Sequence, residues 1–565
     1  MAVSAMLFVS IVCSPVSAAT ATPTIAVSPV VAVVGSTITI TGSGFPPNTV
    51  IYLGWISQNA SWQIKAIPTP QVVGINSVPL VYKLGTTQSN ASGSFSLQTA
   101  VPSDYGGSHA IQAYATNGTA ISPVASFVLE PHFQISPTSG PAGTPISVVA
   151  TGLGTSIYST SYHLYWDNNY VGYMTAVSTG GATNFTFYAS GMPGMHSVDI
   201  YEGYPGPGVF NPCQEEVGSP LAATVCWPPD VPFFANFTIT PQQVVSQSHS
   251  STVGAAFTTQ VGAEGSFAFL TAGLVGGGLF FYTREPQQRK AISKVLVAVV
   301  IIVLVVVGGT GVYLTTGQQG AGSTSQTSSG PQVAFTPLAI VDRPHVTVPQ
   351  NNATTGPRIS VTPDIASVGE NVTVNGLGFT PSSQLPITWS TRHGSNIIGY
   401  KLVNEPVRNV TANASGSFSF SMRAPYDLGG IHYIAAGNLT EKSNGTLFIQ
   451  RTATLTKTEG PAGTQFKIVL QGVGWDFNTN IATFDYDNSY VGYGCGFNSA
   501  GNVTFTVTAT GAPGIHTIDV YPSVWWGGEN FANQLAVEYR YPLLTPQDHP
   551  ELIPSFHFTF LVTAG

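Results

Sequence analysis

The sequence predicts a mainly β protein with four β-sandwich domains in two tandem pairs, and a transmembrane α-helical hairpin between the pairs. Three observations predict it. Short stretches of alternating residues are separated by Gly, Pro and Asn turns, long segments of the first half recur in the second, and two apolar runs flank a short basic segment. The chain has 565 residues, which allows several domains of roughly 100–200 residues each.

The alternating stretches predict short strands. "STITITGSGF" and "GSFSLQTAV" place apolar residues at every second position, which is typical of strands with one buried face. "HLYWDNNYVGY" places two aromatic strands around an Asp-Asn-Asn turn, which predicts a hairpin. Many short strands at regular spacing favour β-sandwiches.

Recurring segments indicate a duplication. Three of them recur at one constant offset: "WDNNYVGY" at Trp166 as "YDNSYVGY" at Tyr486, "GPAGT" at Gly140 and Gly460, and "GMPGMHSVDIY" at Gly191 as "GAPGIHTIDVY" at Gly511. The preceding domains also match, because "VGSTITITGSGFPP" resembles "VGENVTVNGLGFTP" and "NASGSFSLQTAVPSDYGGSHAI" resembles "NASGSFSFSMRAPYDLGGIHYI". Ungapped similarity of this length predicts two copies of one domain pair.

One histidine recurs in every repeat, in a Gly-x-His at the start of a late strand: His109, His196, His432 and His516. Histidine is a common metal ligand. Because each of the four lies in a different domain, we interpret them as a framework feature of the strand rather than as a metal site.

These motifs resemble the Ig-like repeats of prokaryotic surface proteins, close to the IPT/TIG type. The resemblance lies in the "G-x-G-F" after an alternating strand, the "WD-N-N-x-x-G" hairpin, "N-x-x-G-S-F" and "G-x-H-x-I". It implies Ig-like β-sandwich domains at 22–130, 131–241, 355–450 and 451–565. The second and fourth depart from the pattern through insertions near 203–231 and 523–551. Such repeats serve mostly as spacers, adhesion units and wall or lattice components.

The amino-terminal segment, residues 1–18, is predicted to be a secretory signal peptide that is cut after a small-residue "VSA". It has no Lys or Arg in its first residues, so an uncleaved anchor or a misplaced start stays open. Outside the cell Cys213 and Cys226 could form a disulfide within one loop. Two unpaired thiols are the alternative.

The middle of the chain predicts a membrane hairpin. Residues 266–282 and 295–314 are apolar runs, and a helix needs about 20 apolar residues to cross a bilayer. The loop 283–294 between them carries four basic residues, Arg284, Arg289, Lys290 and Lys294, and such loops stay in the cytoplasm. We therefore expect a multi-pass membrane protein with two helices and both arms extracellular, joined to the hairpin by linkers 242–265 and 315–354.

Within the first apolar run, Gly273 and Gly277 form a small-xxx-small pair that lets another helix approach closely. The second helix of the same hairpin is the natural partner. A homo-oligomer that associates through this helix face is the alternative.

The second long insertion contains four aromatic residues that could contact a ligand: Tyr521, Trp525, Trp526 and Phe531. Aromatic faces stack on sugars and fill the pockets of partner proteins. The alternative is that they cover the open end of the sandwich as a local core.

Asn-x-Ser/Thr sequons are frequent and predict a glycosylated surface: Asn59, Asn90, Asn117, Asn184, Asn236, Asn352, Asn371, Asn409, Asn413, Asn438, Asn444 and Asn502. Only 7% of the residues are charged. Carboxylates lose their charge in acid whereas hydroxyls, amides and glycans do not, so an acidophilic, archaeal origin would explain this composition.

The predicted function is that of a membrane-anchored cell-surface structural or adhesion protein. A surface receptor, or a glycan- or peptide-binding module of a membrane complex, is the alternative. No catalytic motif is recognisable, so we expect no enzyme, no cofactor and no metal. The lipid bilayer and other surface proteins or glycans are the expected partners. Nucleic acid is not an expected partner, since the formal net charge is −8 and no basic face is visible.

Overall fold

A computed structural model of the protein describes residues 22–65, 71–154, 161–203, 233–245, 332–351, 353–395, 399–437, 442–476, 478–496, 499–524 and 541–564. Regular structure in these residues is nearly all β-strand. The strands form four pairs of facing sheets, which we call module 1 (22–130), module 2 (131–241), module 3 (355–450) and module 4 (451–564). All four belong to one compact unit.

Module 1 combines a three-stranded and a five-stranded sheet. Its strands are β1 (Thr24–Ser28), β2 (Val31–Ala32), β3 (Thr37–Ser43), β4 (Val50–Lys65), β5 (Gln71–Gln88), β6 (Phe95–Ala100), β7 (Gly107–Tyr114) and β8 (Ala125–Leu129). The strand orders are β1-β3-β6 and β2-β8-β7-β4-β5. Neighbours are antiparallel except β2, which pairs parallel with β8.

Modules 2 and 3 repeat this arrangement. Module 2 has β9 (His132–Ser136), β10 (Ser139–Gly140), β11 (Pro145–Thr151), β12 (Ser161–Trp166), β13 (Asn169–Met174), β14 (Thr183–Tyr188), β15 (Gly194–Gly203) and β16 (Phe233–Ile239). Two parallel strands, β17 (Gln243–Val245) and β18 (Gln332–Ala334), follow, and then β19 (Ala339–Asp342). Module 3 has β20 (Arg358–Thr362), β21 (Ile365–Ala366), β22 (Asn371–Leu377), β23 (Gln384–Ser395), β24 (Gly399–Thr411), β25 (Phe418–Arg423), β26 (Gly430–Gly437) and β27 (Lys442–Ile449).

Module 4 has the same two sheets with one strand added. Its elements are β28 (Thr452–Leu455), β29 (Glu459–Pro461), β30 (Gln465–Gln471), β31 (Ile481–Tyr486), β32 (Ser489–Cys495), β33 (Val503–Thr508), β34 (Gly514–Pro522), a 3-10 helix (Pro546–Asp548) and β35 (Ser555–Thr563). The larger sheet has the order β19-β35-β34-β31-β32, and β29 pairs with β35. Residues predicted to be linkers, 242–265 and 315–354, thus contribute β17, β18 and β19.

Alternation in the strands builds the cores. In β3, Ile38 and Ile40 are fully buried, whereas Thr37 and Thr41 face solvent. The two sheets of each module face each other across such residues, and each module has its own cluster of buried apolar side chains. Burial of apolar surface contributes about 25 cal/mol per Å², so these clusters are the main source of stability.

The two Asp-Asn turns adopt the conformation that a two-residue hairpin requires. Asp167 and Asn168 have φ of 50° and 66°, and Asp487 and Asn488 have φ of 53° and 56°. Two successive residues with positive φ form the type I′ turn, whose twist matches that of the flanking strands. Asp and Asn tolerate this left-handed region better than other side chains do.

One contact between the two modules of a pair is repeated in both pairs. The amide of Gly106 in module 1 donates to the Leu153 carbonyl in module 2 at 2.9 Å, and the Gly429 amide donates to the Val473 carbonyl at 3.1 Å. A Cβ at Gly106 or Gly429 would overlap the backbone oxygen of Gly152 or Gly472. Glycine is therefore required at both positions.

The α-helical hairpin of the predicted fold class is a wrong prediction, and so is the two-helix, multi-pass membrane localisation with both arms extracellular. The helical element among the described residues is the three-residue 3-10 helix, and none of these residues forms a helix long and apolar enough to cross a membrane. A crossing helix needs about 20 residues. The segments on which the prediction rested, 266–282, 283–294 and 295–314, lie outside the described residues.

Candidate functional site: the joint between the two halves of the chain

Module 4 contacts modules 1 and 2 through a buried surface that we call the joint, centred on Asp548, Asn488 and Trp62. Asp548 is fully buried and its carboxylate accepts three hydrogen bonds from module 2. The donors are the Thr175 hydroxyl at 2.6 Å, the Val177 amide at 2.9 Å and the Ser178 amide at 2.6 Å. Burial raises the pKa of Asp548, and these hydrogen bonds oppose the rise.

The chain segment before Asp548 lies along the edge strand β13. The Tyr173 amide donates to the Pro542 carbonyl at 2.9 Å, and the Leu544 amide donates to the Tyr173 carbonyl at 2.8 Å. Leu544 packs into the core of module 2. An unpaired edge is a ready template for another strand, and here the insertion of module 4 covers it.

Module 1 enters the joint through Trp62. Its indole Nε1 donates to the Asp548 carbonyl at 2.6 Å. The ring belongs to a buried cluster that modules 1, 2 and 4 share: Ala60, Trp62, Val72, Tyr105, Tyr173, Val177, Val524 and Leu543. The Tyr105 hydroxyl also donates to the Val177 carbonyl at 2.7 Å. Three modules are therefore held in one arrangement by apolar and polar contacts together.

Asn488 forms the second polar contact of the joint. Its amide Nδ2 lies in the turn between β31 and β32 and donates to the Tyr188 carbonyl at 2.7 Å and to the Ser190 hydroxyl at 3.0 Å. The side chain is fully buried. Removing a buried donor of this kind leaves its acceptors unsatisfied, which costs about 1–3 kcal/mol.

A row of titratable groups crosses the face of module 4 that the joint covers. Asp485, Asp519 and His557 are cross-strand neighbours on β31, β34 and β35, and each is at most 3% exposed. The Asp519 carboxylate lies 2.8 Å from Nδ1 of His557. Burial raises the pKa of Asp485 well above its usual range, and the Asp519 charge adds to the rise.

Ser555, His557 and Asp519 are arranged in the order of a Ser-His-Asp triad, since the Ser555 hydroxyl lies 3.4 Å from Nε2 of His557. A nucleophile must reach a substrate carbonyl. Ser555 is only 1% exposed. His557 lines a cleft of about 450 Å³ with Tyr188 and Asp342, whereas Ser555 does not line it. The Ser555 hydroxyl is therefore buried and separate from the cleft that His557 lines.

The Gly-x-His residues occupy framework positions. The rings of His109 and His432 stack on Trp55 and Trp389, each at 4.4 Å between centroids. Their Nε2 atoms lie 2.6 and 2.9 Å from carbonyl oxygens four residues earlier. Both indoles donate to a buried carboxylate, Trp55 to Asp104 at 2.6 Å and Trp389 to Asp427 at 2.7 Å.

In modules 2 and 4 Nε2 again lies close to the carbonyl oxygen four residues earlier, at 2.8 and 2.9 Å, and Nδ1 contacts the hairpin turn. Nδ1 of His196 lies 2.6 Å from the Asp167 carboxylate, and Nδ1 of His516 lies 2.6 Å from Asp487. In the part of the chain that the structure describes, no group of three His, Cys, Asp or Glu side chains could hold a metal ion.

Of the four predicted ligand-contact aromatics, the structure describes Tyr521. It is 1% exposed and packs with the core of module 2, next to His557. Trp525, Trp526 and Phe531 lie outside the described residues. So do the disulfide candidates Cys213 and Cys226, the basic residues Arg284, Arg289, Lys290 and Lys294, the Gly273/Gly277 pair and the signal segment 1–18.

Most predicted glycosylation sites are accessible. Nine are exposed and Asn502 is half-buried: Asn59, Asn90, Asn117, Asn184, Asn236, Asn371, Asn409, Asn413, Asn444 and Asn502. Asn352 and Asn438 lie outside the described residues. Exposure is a condition for modification, and glycosylation stays a prediction.

Sequence reasoning missed Trp62, Asn488 and Asp548. Asn488 stands in a turn that the repeat had already identified, and Asp548 in an insertion already marked as a candidate contact region. The partners of both lie hundreds of residues earlier in the chain. The available signal was the insertion itself, since it interrupts an otherwise complete sandwich.

Comparisons with known proteins leave the family open. No protein-family model and no curated protein matches the chain. Among solved structures, a Salmonella alpha-2-macroglobulin mutant is 7% identical with a TM-score of 0.16, and the match covers 94% of this chain and 30% of that one. The ICAM-5 D1–D4 ectodomain fragment is 8% identical over 90% of this chain and 96% of that one, with a TM-score of 0.15. The Yersinia pseudotuberculosis adhesin InvE is 13% identical over 30% of this chain and 55% of that one, also with a TM-score of 0.15. These TM-scores are too low to carry an argument.

Proposed function

We propose that the protein is a structural or adhesive component of the cell surface. Its modules, which resemble Ig-like repeats of the IPT/TIG type, would hold contact surfaces at fixed positions. The joint is the observation that carries this proposal. Hydrogen bonds and a shared apolar cluster connect residues far apart in sequence, so modules 1, 2 and 4 keep one relative arrangement.

The chemistry of the buried polar groups supports a structural role. Asp548 accepts hydrogen bonds from three donors, and Asp104 and Asp427 accept from tryptophans and neighbouring hydroxyls. Buried carboxylates satisfied in this way orient the elements around them, because each donor must keep its position. The exposed sequons are consistent with a protein surface that faces a glycosylating compartment.

Deletion of the protein from its native cells tests the proposal. We expect weaker resistance of the cell envelope to osmotic shock, or less cell–cell aggregation. Expression of the wild-type chain should restore the phenotype, whereas Asp548→Ala should not. Asp364→Asn is the matched control, because the Asp364 carboxylate accepts an exposed hydrogen bond from Gln350 at 2.9 Å, away from the joint.

The alternative of a receptor makes a different prediction. The structural role would be overturned if deletion left the envelope intact and aggregation unchanged, and abolished binding to one defined glycan or peptide.

A further inference from the structure

The duplication gives module 2 a counterpart of the face that module 4 buries in the joint. In module 4, Asp519 on β34 pairs with His557 on β35. In module 2, Asp199 on β15 pairs with Phe234 on β16 in the same register. The larger sheets of modules 4 and 2 thus have equivalent outer faces. The face of module 4 is covered by module 2. The equivalent face of module 2 carries Asp199 and Phe234.

The counterpart face exposes two large apolar side chains on its β15–β16 side, while Asp199 on β15 is buried, at 9% exposure. His557 is 3% exposed, whereas Phe234 is 61% exposed. Ile515, the counterpart of Met195, lies beside Gly143 of module 2, whereas Met195 is 74% exposed. Met195 pairs with Thr238 and Phe234 with Asp199, so the two side chains stand on one face at separate places along the ladder. The Phe234 ring also contacts the Tyr201 ring, with centroids 5.8 Å apart. Large apolar side chains that share a solvent-facing surface mark interaction surfaces more often than single ones do.

The two equivalent turns show the same contrast. Asn488 is fully buried and binds Tyr188 and Ser190 of module 2. Asn168 has the same left-handed conformation at the same position of the hairpin, and it is exposed. The second contact that the duplication allows is therefore not made within one chain.

The matching edge also exists and is also open. Module 2 contacts module 4 through Tyr188 and Ser190, at the end of β14. Tyr188 pairs with Pro145 on β11, and Thr508 pairs with Gln465 on β30 in the same register. The counterparts in module 4 are thus Thr508 and Thr510, which are both exposed. Thr510 carries a hydroxyl, as Ser190 does, and could accept from an Asn amide.

The side chains at the centre of the contact differ between the two interfaces. In the joint the large Tyr188 packs on His557, with ring centroids 5.2 Å apart. At the open positions a small residue, Thr508, would face a larger apolar one, Phe234. Phe234 offsets part of the loss from Tyr to Thr, and neither of the two residues is titratable.

We infer that the β15–β16 face of module 2 binds the edge of module 4 that carries Thr508 and Thr510 from a second copy of this chain. The contact is head-to-tail, since the two surfaces differ, and such contacts generate open chains unless the rotation closes a ring. This inference deepens the proposed structural role, on which it rests, by naming the partner as the protein itself.

Asn236 lies on this face and is one of the predicted glycosylation sites. A glycan there would cover the surface that a second copy needs. Assembled chains should therefore be unmodified at Asn236, which mass spectrometry of the assembled fraction can read directly.

Sedimentation velocity of the full chain over a wide range of concentration tests the inference. We expect the wild type to form a concentration-dependent series of oligomers. Phe234→Lys and Thr508→Arg should each weaken this association by about tenfold or more, because each disables one of the two surfaces. Val81→Lys in β5 is the matched control, since Val81 is also exposed (51%) and apolar but lies on module 1.

Mixing the two variants separates a head-to-tail contact from a symmetric one. A Phe234→Lys chain keeps the module 4 edge and a Thr508→Arg chain keeps the module 2 face, so the mixture should form dimers that grow no further. The inference would be overturned if the wild type formed a symmetric dimer that Phe234→Lys abolishes and Thr508→Arg leaves unchanged. A wild type that stays monomeric at every concentration would also overturn it. The proposed structural role would still stand, because it is tested separately by the integrity of the cell envelope.

Discussion

The indole of Trp62 donates a 2.6 Å hydrogen bond to the backbone carbonyl of Asp548, a residue 486 positions later in the sequence. The carboxylate of the same Asp548 accepts hydrogen bonds from Thr175, Val177 and Ser178. One residue of module 4 thus binds modules 1 and 2 with different atoms. The short 3-10 helix that ends at Asp548 is therefore one point at which all three modules meet.

Asp548→Ala should loosen the joint. It leaves a hydroxyl and two amides without their acceptor, and each buried unsatisfied group costs about 1–3 kcal/mol. We expect the free energy of local opening to fall by about 3 kcal/mol or more. Hydrogen exchange at the Val177 and Ser178 amides measures it without assuming two-state unfolding of a multidomain chain. Asp427→Ala is the control, since the Asp427 carboxylate binds Trp389 and Thr391 of module 3 and takes no part in the joint. Unchanged exchange in Asp548→Ala would contradict the prediction.

Asn488→Asp should destabilise the joint, whereas Asn168→Asp should not. At Asn488 the substitution replaces a buried donor by an acceptor that faces the Tyr188 carbonyl, at a cost of about 2–4 kcal/mol. Asp tolerates the positive φ of both turns, so the backbone is not at issue. At the exposed Asn168 the change should stay within about 0.5 kcal/mol. Thermal unfolding of dilute protein compares the two, and equal effects would show that the turn rather than the contact matters.

Asp485→Asn should stabilise the protein at neutral pH. Neither carboxylate oxygen of Asp485 has a hydrogen-bond partner among the described residues, and Asp519 is its cross-strand neighbour. The substitution keeps the shape and removes a group that resists ionisation. We expect the melting temperature to rise by a few degrees. Asp519→Asn, which breaks the bond to His557, should lower it, and a fall in both variants would show that Asp485 has a partner in solution.

Local patterns and the repeat predict the sandwiches well but cannot predict the joint. Alternation buries Ile38 and Ile40, and the Asp-Asn pairs predict both turns, because these depend on neighbours in sequence. Asn168 and Asn488 stand in almost the same octapeptide, yet one is exposed and the other fully buried. The difference arises because module 4 docks on module 2 through its turn, whereas the turn of module 2 is exposed. Tyr521 shows the same limit. The sequence suggests a ligand contact, whereas the residue lies at the end of β34 and packs with the core of the docked module 2.

Stability should decrease from about pH 5 to about pH 7.5. Burial raises the pKa of Asp485, Asp519 and Asp548, and it raises that of Glu551 to about 7. A carboxyl whose pKa is higher in the folded than in the unfolded chain holds its proton more tightly when folded. Its stabilisation is complete below the unfolded pKa of about 4 and is lost as the pH rises towards the folded value.

His549 acts in the opposite direction. Burial lowers its pKa to about 3, so the folded chain keeps it neutral and loses stability as the pH falls below about 6.5. Four carboxyls outweigh one histidine, so the melting temperature should be higher at about pH 5 than at about pH 7.5. Glu551→Gln should make the decline shallower, by at most about 1.4 kcal/mol per pH unit. A melting temperature that increases over this range would mean that the buried carboxyls ionise freely in the folded protein.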